Sequence, residues 1–339
     1  MGSTTAPFAG PFSLVTKMSK QYLRKASLVI GSDGDALDFS DLRFSFDIRR
    51  GDISTPNSAR VRIFNVADDT AQRIAGEFSR LVLQAGYQDG PFGVLFDGVI
   101  KQVRRGRYSP TETVVDVTAA SGDAWYNWAT VSTTLAAGST YMDHVQAAIA
   151  TMKPYGLTVG YLPEFDVKPL PRGKVIFGMA RDVLANAALN LNADWSIQDT
   201  QFQMVPQNSY IPGEALVLTA ETGMIGLPTQ DQNGITIKCL LNPNARISGL
   251  VQIDNKSIQR AEYSLTVSDA AAKSNAYLNY FSRLNRDGTY KILVAEHEGD
   301  TRDTPWYTTL TCIDVDLSMN PAQLPKANVA GPGPVKPWG

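Results

Sequence analysis

The chain has 339 residues, 43% hydrophobic and 19% charged, with a formal net charge of −2. That length predicts two or three domains with packed cores, and the composition argues against a disordered chain. The balanced charge gives no electrostatic drive toward nucleic acid, and two cysteines, Cys239 and Cys312, are too few for a disulfide scaffold.

The first twenty residues lack the continuous apolar stretch of a signal peptide. Nowhere does the chain offer the roughly 20 apolar residues of a membrane helix. A soluble protein without stable membrane insertion is expected. Residues 1–25 read as an arm, punctuated by Pro and Gly and then basic at Lys17, Lys20, Arg24 and Lys25. A strand at 27–31 leads to turn chemistry at Asp33-Gly34, because glycine supplies the positive φ of a tight hairpin. Leu42, Phe44, Phe46 and Ile48 then alternate with polar residues, the period of a strand with one buried face.

Another strand follows at 59–66, then one helix with Asp68 or Asp69 as N-cap and Ile74 and Phe78 on one face. Three more strands, in LVLQAGY, GVLFDGVIKQVRRG and TETVVDVTAA, bring the count before Ser121 to about six strands and one helix. A parallel sheet needs a crossover between strands, so an antiparallel barrel or tightly curled sheet is expected.

The pattern changes after Trp125. Ser139 is placed as the cap of a helix whose Met142, Val145, Ile149 and Met152 share a face. A strand, a proline-rich loop and a second helix follow, the latter with Val183, Leu184, Ala187 and Leu191 inward. The hairpin WSIQDTQFQMV closes this small α/β unit. Strands return from Glu214 in ALVLTAE, GITIKCLL, GLVQIDN, TYKILVAEH and WYTTLTCIDV. The expected division is an arm at 1–25, a first β-barrel at 26–134 and an α/β unit at 135–212. A second barrel at 213–319 carries an insertion at about 256–288, and 320–339 forms an extended Pro/Gly-rich tail.

The two β-rich stretches can be laid over each other. VRIFNV, LVLQAGY, GVIKQVRRG and VDVTAA match ITIKCLL, LVQIDN, YKILVAEH and WYTTLTCI in order and length, with weak identity. The architecture read from the sequence is therefore mainly β with an α+β insertion, two similar antiparallel barrels flanking an α/β domain. Three such chains would present six similar units around one axis.

The sequence offers no catalytic constellation, no metal site and no cofactor site. Phosphate loop, nucleophile elbow and zinc-helix motifs are all missing. His144 is read as a partly exposed helix residue beside Asp143. His297-Glu298-Gly299-Asp300 is read as a solvated turn rather than a metal cluster. The acidic run Asp33, Asp35, Asp38 and Asp41 lacks calcium-loop spacing and is read as a hairpin turn. Cys239 and Cys312 sit in apolar runs, as buried thiols of neighbouring strands would. The basic cluster of Lys101, Arg104, Arg105 and Arg107 lies at a strand-to-loop junction. Arg104, Arg105 and Arg107, with Trp338 of the tail, are the candidate partner contacts.

Several stretches together resemble one family. LRFSFDIRRGDISTPNSARVRIFNVADD is similar to the opening of bacteriophage tail baseplate hub proteins, and TLAAGSTYMDHVQAAIA to their middle-domain helix. GMARDVLANAALNLNADWSIQDTQFQMVP looks like their second helix and hairpin. TGMIGLPTQDQNGITIKCLLNP and GTYKILVAEHEGDTRDTPWYTTLTCI resemble their second barrel. The resemblance spans about 25–316 and extends to the hub part of type VI secretion spike proteins. It implies a non-enzymatic virion protein assembled in the host cytoplasm, a homotrimeric pseudo-sixfold ring in the tail baseplate. Its implied partners are a central spike protein, a tail tube or tube-initiator protein, the tape measure protein and other baseplate proteins. DNA would pass through the lumen without specific binding. The alternatives are a tail-associated cell-wall-degrading enzyme and a receptor-binding β module.

Overall fold

The computed structural model describes residues 21–32, 34–231, 234–255, 258–260 and 288–314. The arm up to residue 20, most of the expected insertion and the tail with Trp338 lie outside the described residues.

Strands β1 (Arg24–Ser32), β2 (Asp35–Asp38), β3 (Phe44–Gly51) and β4 (Ser58–Phe64) precede helix α1 (Asp68–Gly76). After the helix come β5 (Arg80–Tyr87), β6 (Phe92–Arg107) and β7 (Thr113–Ala120). They pair antiparallel in the order β3-β4-β7-β6-β5-β1-β2. The alternation legible in the sequence places Phe44, Phe46, Ile48, Val61, Ile63 and Val117 in one core, against Leu28, Ile30, Leu81 and Leu83. Residues from both ends of the strand order share this core, so the sheet curls around it. Helix α1 adds Ala71 and Ile74, but its N-cap position is Ala67 without a side-chain cap. Asp68 and Asp69 instead occupy the first turn, where carboxylates favour the helix dipole.

The middle block holds α2 (Asp123–Trp128), β8 (Thr130–Leu135), α3 (Tyr141–Met152), β9 (Thr158–Val159) and β10 (Lys174–Met179). Helix α4 (Ala180–Leu191), β11 (Ala193–Gln198) and β12 (Gln201–Pro206) complete it. Strands β8 and β10 form a ribbon, while β11 and β12 form the expected hairpin with β9 parallel to β12. Trp125, Val145, Ile149, Leu184, Trp195 and Phe202 lie in its separate core. Thr140, not Ser139, caps α3: it accepts from the Asp143 N–H while the Asp143 carboxylate accepts from its own N–H.

The last block holds β13 (Leu216–Val217), β14 (Thr229–Asp231), β15 (Gly234–Leu240), β16 (Leu250–Gln252) and β17 (Gln259–Arg260). Two long strands, β18 (Thr289–Asp300) and β19 (Trp306–Asp314), end it. The described residues are mainly β, 47% strand against 18% helix, with the α/β block between two β-rich ones. Closed barrels, however, are not what the described pairings give. Both β-rich blocks belong to one continuous sheet, β17-β14-β15-β19-β18-β3-β4-β7-β6-β5-β1-β2, joined through β18 and β3. The reason is length. β16 pairs with only Leu250–Gln252 against the start of β18, and β3 takes the remaining edge from Val294 to Asp300.

The internal repeat is present in the pairing itself. The order β4-β7-β6-β5 is repeated as β15-β19-β18-β16, every pair antiparallel. Even the irregularity recurs: the register shifts between Ile100 and Gln102 in β6, and between Ile292 and Val294 in β18. Through these registers Val61 and Val117 correspond to Ile237 and Leu310, all four buried. Bulges arise from a specific local insertion, so their coincidence is stronger support than matching strand order.

Candidate assembly surfaces

The face of the central strands turned away from the core carries charges in rows. One row runs Lys238, Thr309, Glu296, Arg49, Ser58 across β15, β19, β18, β3 and β4. The next runs Leu240, Tyr307, Glu298, Asp47, Arg60, Thr118, Gln102. A third runs Asp300, Ser45, Arg62, Asp116, Arg104. These rows hold five cations and five anions; Glu296–Arg49, Asp47–Arg60, Arg62–Asp116 and Asp116–Arg104 are opposite charges directly opposed, which stabilise a sheet, while Glu298 and Asp47 face each other as like charges. Arg49 Nε donates to Glu296 (2.7 Å) and Arg62 Nε to Asp116 (2.7 Å). Asp47 has a carboxyl raised above its usual range, by lost hydration first and then by the charge of Glu296.

The predicted basic cluster lies on β6 where that strand outruns β5. Pairing with β5 ends at Val99, pairing with β7 continues to Arg107, and among the described residues no strand pairs with the other edge beyond Ile100. The cluster is tied down within the chain rather than free. Lys101 pairs with Asp123 (2.5 Å), Arg105 with Asp68, and Arg104 approaches Asp116 (3.9 Å). Arg107 donates to the Pro110 carbonyl (3.4 Å).

Two buried polar joints escaped sequence reading. At the first, Arg50 Nε donates to Gln198 Oε1 (3.3 Å) and its Nη2 to Asp199 (2.7 Å). Gln198 Nε2 donates to the Gly51 carbonyl (3.0 Å), and Asn57 Nδ2 to Ile197 O (2.7 Å). These bonds fasten the β11–β12 hairpin to the first block. At the second, Lys291 Nζ lies 3.3 Å from Asp52, with side chains 1% and 3% exposed, and Ser248 Oγ donates to the same carboxylate (2.7 Å). This pair links the loop after β3 to β18. A lone lysine within the apolar run TYKILV was the only sequence signal for it.

Both histidines depart from expectation. His144 is buried, 2% exposed, with its ring edge-on to Tyr141. Four-residue spacing puts His144, Ala148 and Met152 on one stripe, and that stripe faces the core. His297 is not in a solvated turn: β18 continues to Asp300, and the ring is sealed at 1% exposure. The two cysteines do lie in the neighbouring strands β15 and β19, buried, and burial pushes Cys239 up to about 12 and raises Cys312 as well. The tight turn at Ser32–Asp35 holds Asp35, with Gly34 at φ +95°.

One half-open cavity of about 810 Å³ lies between the β1–β5–β6 surface and the middle block, lined by Gly31, Arg80, Asp97, Gly98, Tyr155 and Thr200. Its charges neutralise each other, since Arg80 and Asp97 pair at 2.6 Å. Among the described residues no group of three His, Cys, Asp or Glu is arranged to hold a metal ion. No helix among them is long and apolar enough to cross a membrane.

The fold therefore defines a class: a duplicated, mainly β scaffold whose polar features are strand rows and interlocking joints. Two solved structures share this fold. The 43 kDa tail protein of prophage MuSo2 from Shewanella oneidensis superposes with a TM-score of 0.52 at 10% identity, over 86% of this chain and 98% of that one. A tail protein from Neisseria meningitidis MC58 gives 0.51 at 10% identity, over 86% and 97%. At this identity the likeness is one of fold, and it agrees with the resemblance to baseplate hubs. No family model and no curated protein matches the chain.

Proposed function

We propose that this chain is a structural hub of a phage tail baseplate. Three copies form a pseudo-sixfold ring that adapts a sixfold tail tube to a threefold central spike. The observation that carries this reading is the repeated strand topology, down to its bulge. One chain with two equivalent blocks lets three subunits present six similar units, so one face can meet sixfold symmetry and the other threefold.

The divisions at 26–134, 135–212 and 213–319 are then a repeat, an inserted block and a second repeat. The partners are a spike protein, a tube or tube-initiator protein, the tape measure protein and other baseplate proteins. Arg104, Arg105, Arg107 and Trp338 are the proposed contact residues. The charge-balanced rows on the outer sheet face suit a lumen through which DNA slides. The role is non-enzymatic. The rival hydrolase reading leaned on His297, whose buried ring reaches no substrate.

The test is native mass spectrometry of the purified chain together with cryo-EM of the tail. A threefold mass and density on the central axis are expected. Placement of the chain off that axis sinks the reading.

A further inference from the structure

We infer that the open edge of β6, from Gln102 to Arg107, is a docking edge for strand β14 of a second copy of this chain. The inference deepens the ring reading and rests on it, because it states how one copy meets the next.

The two repeats differ at one edge. After its bulge, β18 runs on past β16 and its outer edge pairs antiparallel with β3. After the equivalent bulge, β6 runs on past β5, and its outer edge has no strand among the described residues. Inside the chain, then, repeat two closes onto repeat one through this edge. Repeat one has the same edge and, among the described residues, lacks the strand that fills it. Strand β3 precedes and pairs with β4 as β14 precedes and pairs with β15, so β14 is the counterpart of β3. The strand missing from β6 is β14, and only another copy can supply it. Such a contact joins different patches on the two copies, the kind that propagates around a ring.

The register follows by transfer. Glu298 faces Asp47 and Glu296 faces Arg49 in the intrachain joint. Carried through the two equivalences, Gly106 stands opposite Thr229 of the neighbour, and Arg104 opposite Asp231. The second position reverses the signs of the Glu296–Arg49 pair, so opposite charges meet at both joints. The N–H of Tyr108 donates inward to the Glu112 carbonyl, and alternation turns the N–H groups of Arg107, Arg105 and Val103 outward. Outward donors paired with a strand account for specificity by backbone, while the arginines deter unrelated strands. The outer edge of β14 carries a two-residue parallel pairing with β17, which docking replaces.

The experiment uses the full-length chain with Gly106→Cys and Thr229→Cys together. A Cβ at Gly106 meets nothing within 4 Å, and the native cysteines are buried. A covalent trimer on a non-reducing gel, absent from either single variant, is expected. Arg105→Pro, which removes an outward N–H while leaving the β7 ladder intact, is expected to abolish the trimer while the far-UV circular dichroism of the folded chain is kept. A trimer that forms no cross-link and tolerates the proline overturns this edge while leaving the ring reading in place. A chain that stays monomeric throughout overturns both.

Discussion

His297 shows how one position can mislead at the level of sequence and still be physically decisive. Its ring is sealed inside the sheet, with Nδ1 2.9 Å from Thr308 Oγ1. That hydroxyl also accepts from the Asn242 N–H, so the ring is held by a hydroxyl that is itself fixed to the backbone. Burial, with Arg50 adding repulsion, lowers the pKa to about 3. The unfolded chain takes up a proton near pH 6.5 and the folded chain does not, so stability falls as pH drops from 6.5 toward 3. The slope approaches about 1.4 kcal/mol per pH unit. Between pH 6.5 and 5 the native chain should lose about 2 kcal/mol more unfolding free energy than His297→Gln. Urea titrations at the two pH values measure it, and parallel losses in both proteins would refute the assignment.

Among elements, the joint between the first block and the β11–β12 hairpin depends on Arg50, 5% exposed, which reaches Gln198, Asp199 and the Leu95 carbonyl. Arg50→Ala leaves buried acceptors without a donor and should cost about 2–3 kcal/mol. Hydrogen exchange is expected to quicken in 193–206 while β4 and β7 stay protected; uniform quickening would mean that the joint is not local. Strands and helices were largely legible because alternation and 3.6-residue spacing report which face is buried, as in Phe44–Phe46–Ile48 and Leu184–Ala187–Leu191. The repeat was legible for the same reason. Joints were not: Arg50 and Gln198 lie 148 residues apart, and no local pattern pairs them. Nor was the β18–β3 seam, since strand length reveals an overhang but not what fills it.

For the whole molecule, the telling quantity is charge arrangement rather than net charge. The formal net charge of −2 is compatible with a strongly basic surface on one side, yet the three polar rows hold five cations and five anions, and each of the cations Arg49, Arg60, Arg62 and Arg104 has an anion directly opposite. Polyanion binding depends on releasing counterions from several phosphates at once, and a cation already neutralised by its cross-strand neighbour releases few. In the proposed ring, a lumen lined by these rows would pass DNA without gripping it. Replacing Glu296 and Glu298 by Lys turns two anions on adjacent rows into cations and frees Arg49 from its partner. The double variant is expected to bind duplex DNA at 50 mM salt and release it by about 200 mM, the steep dependence of a phosphate-only contact. Fluorescence anisotropy compares it with the native chain, which should show no binding at either salt concentration. Tight binding by the native chain would mean that the rows do not neutralise one another, and the account of a passive lumen would fall with them.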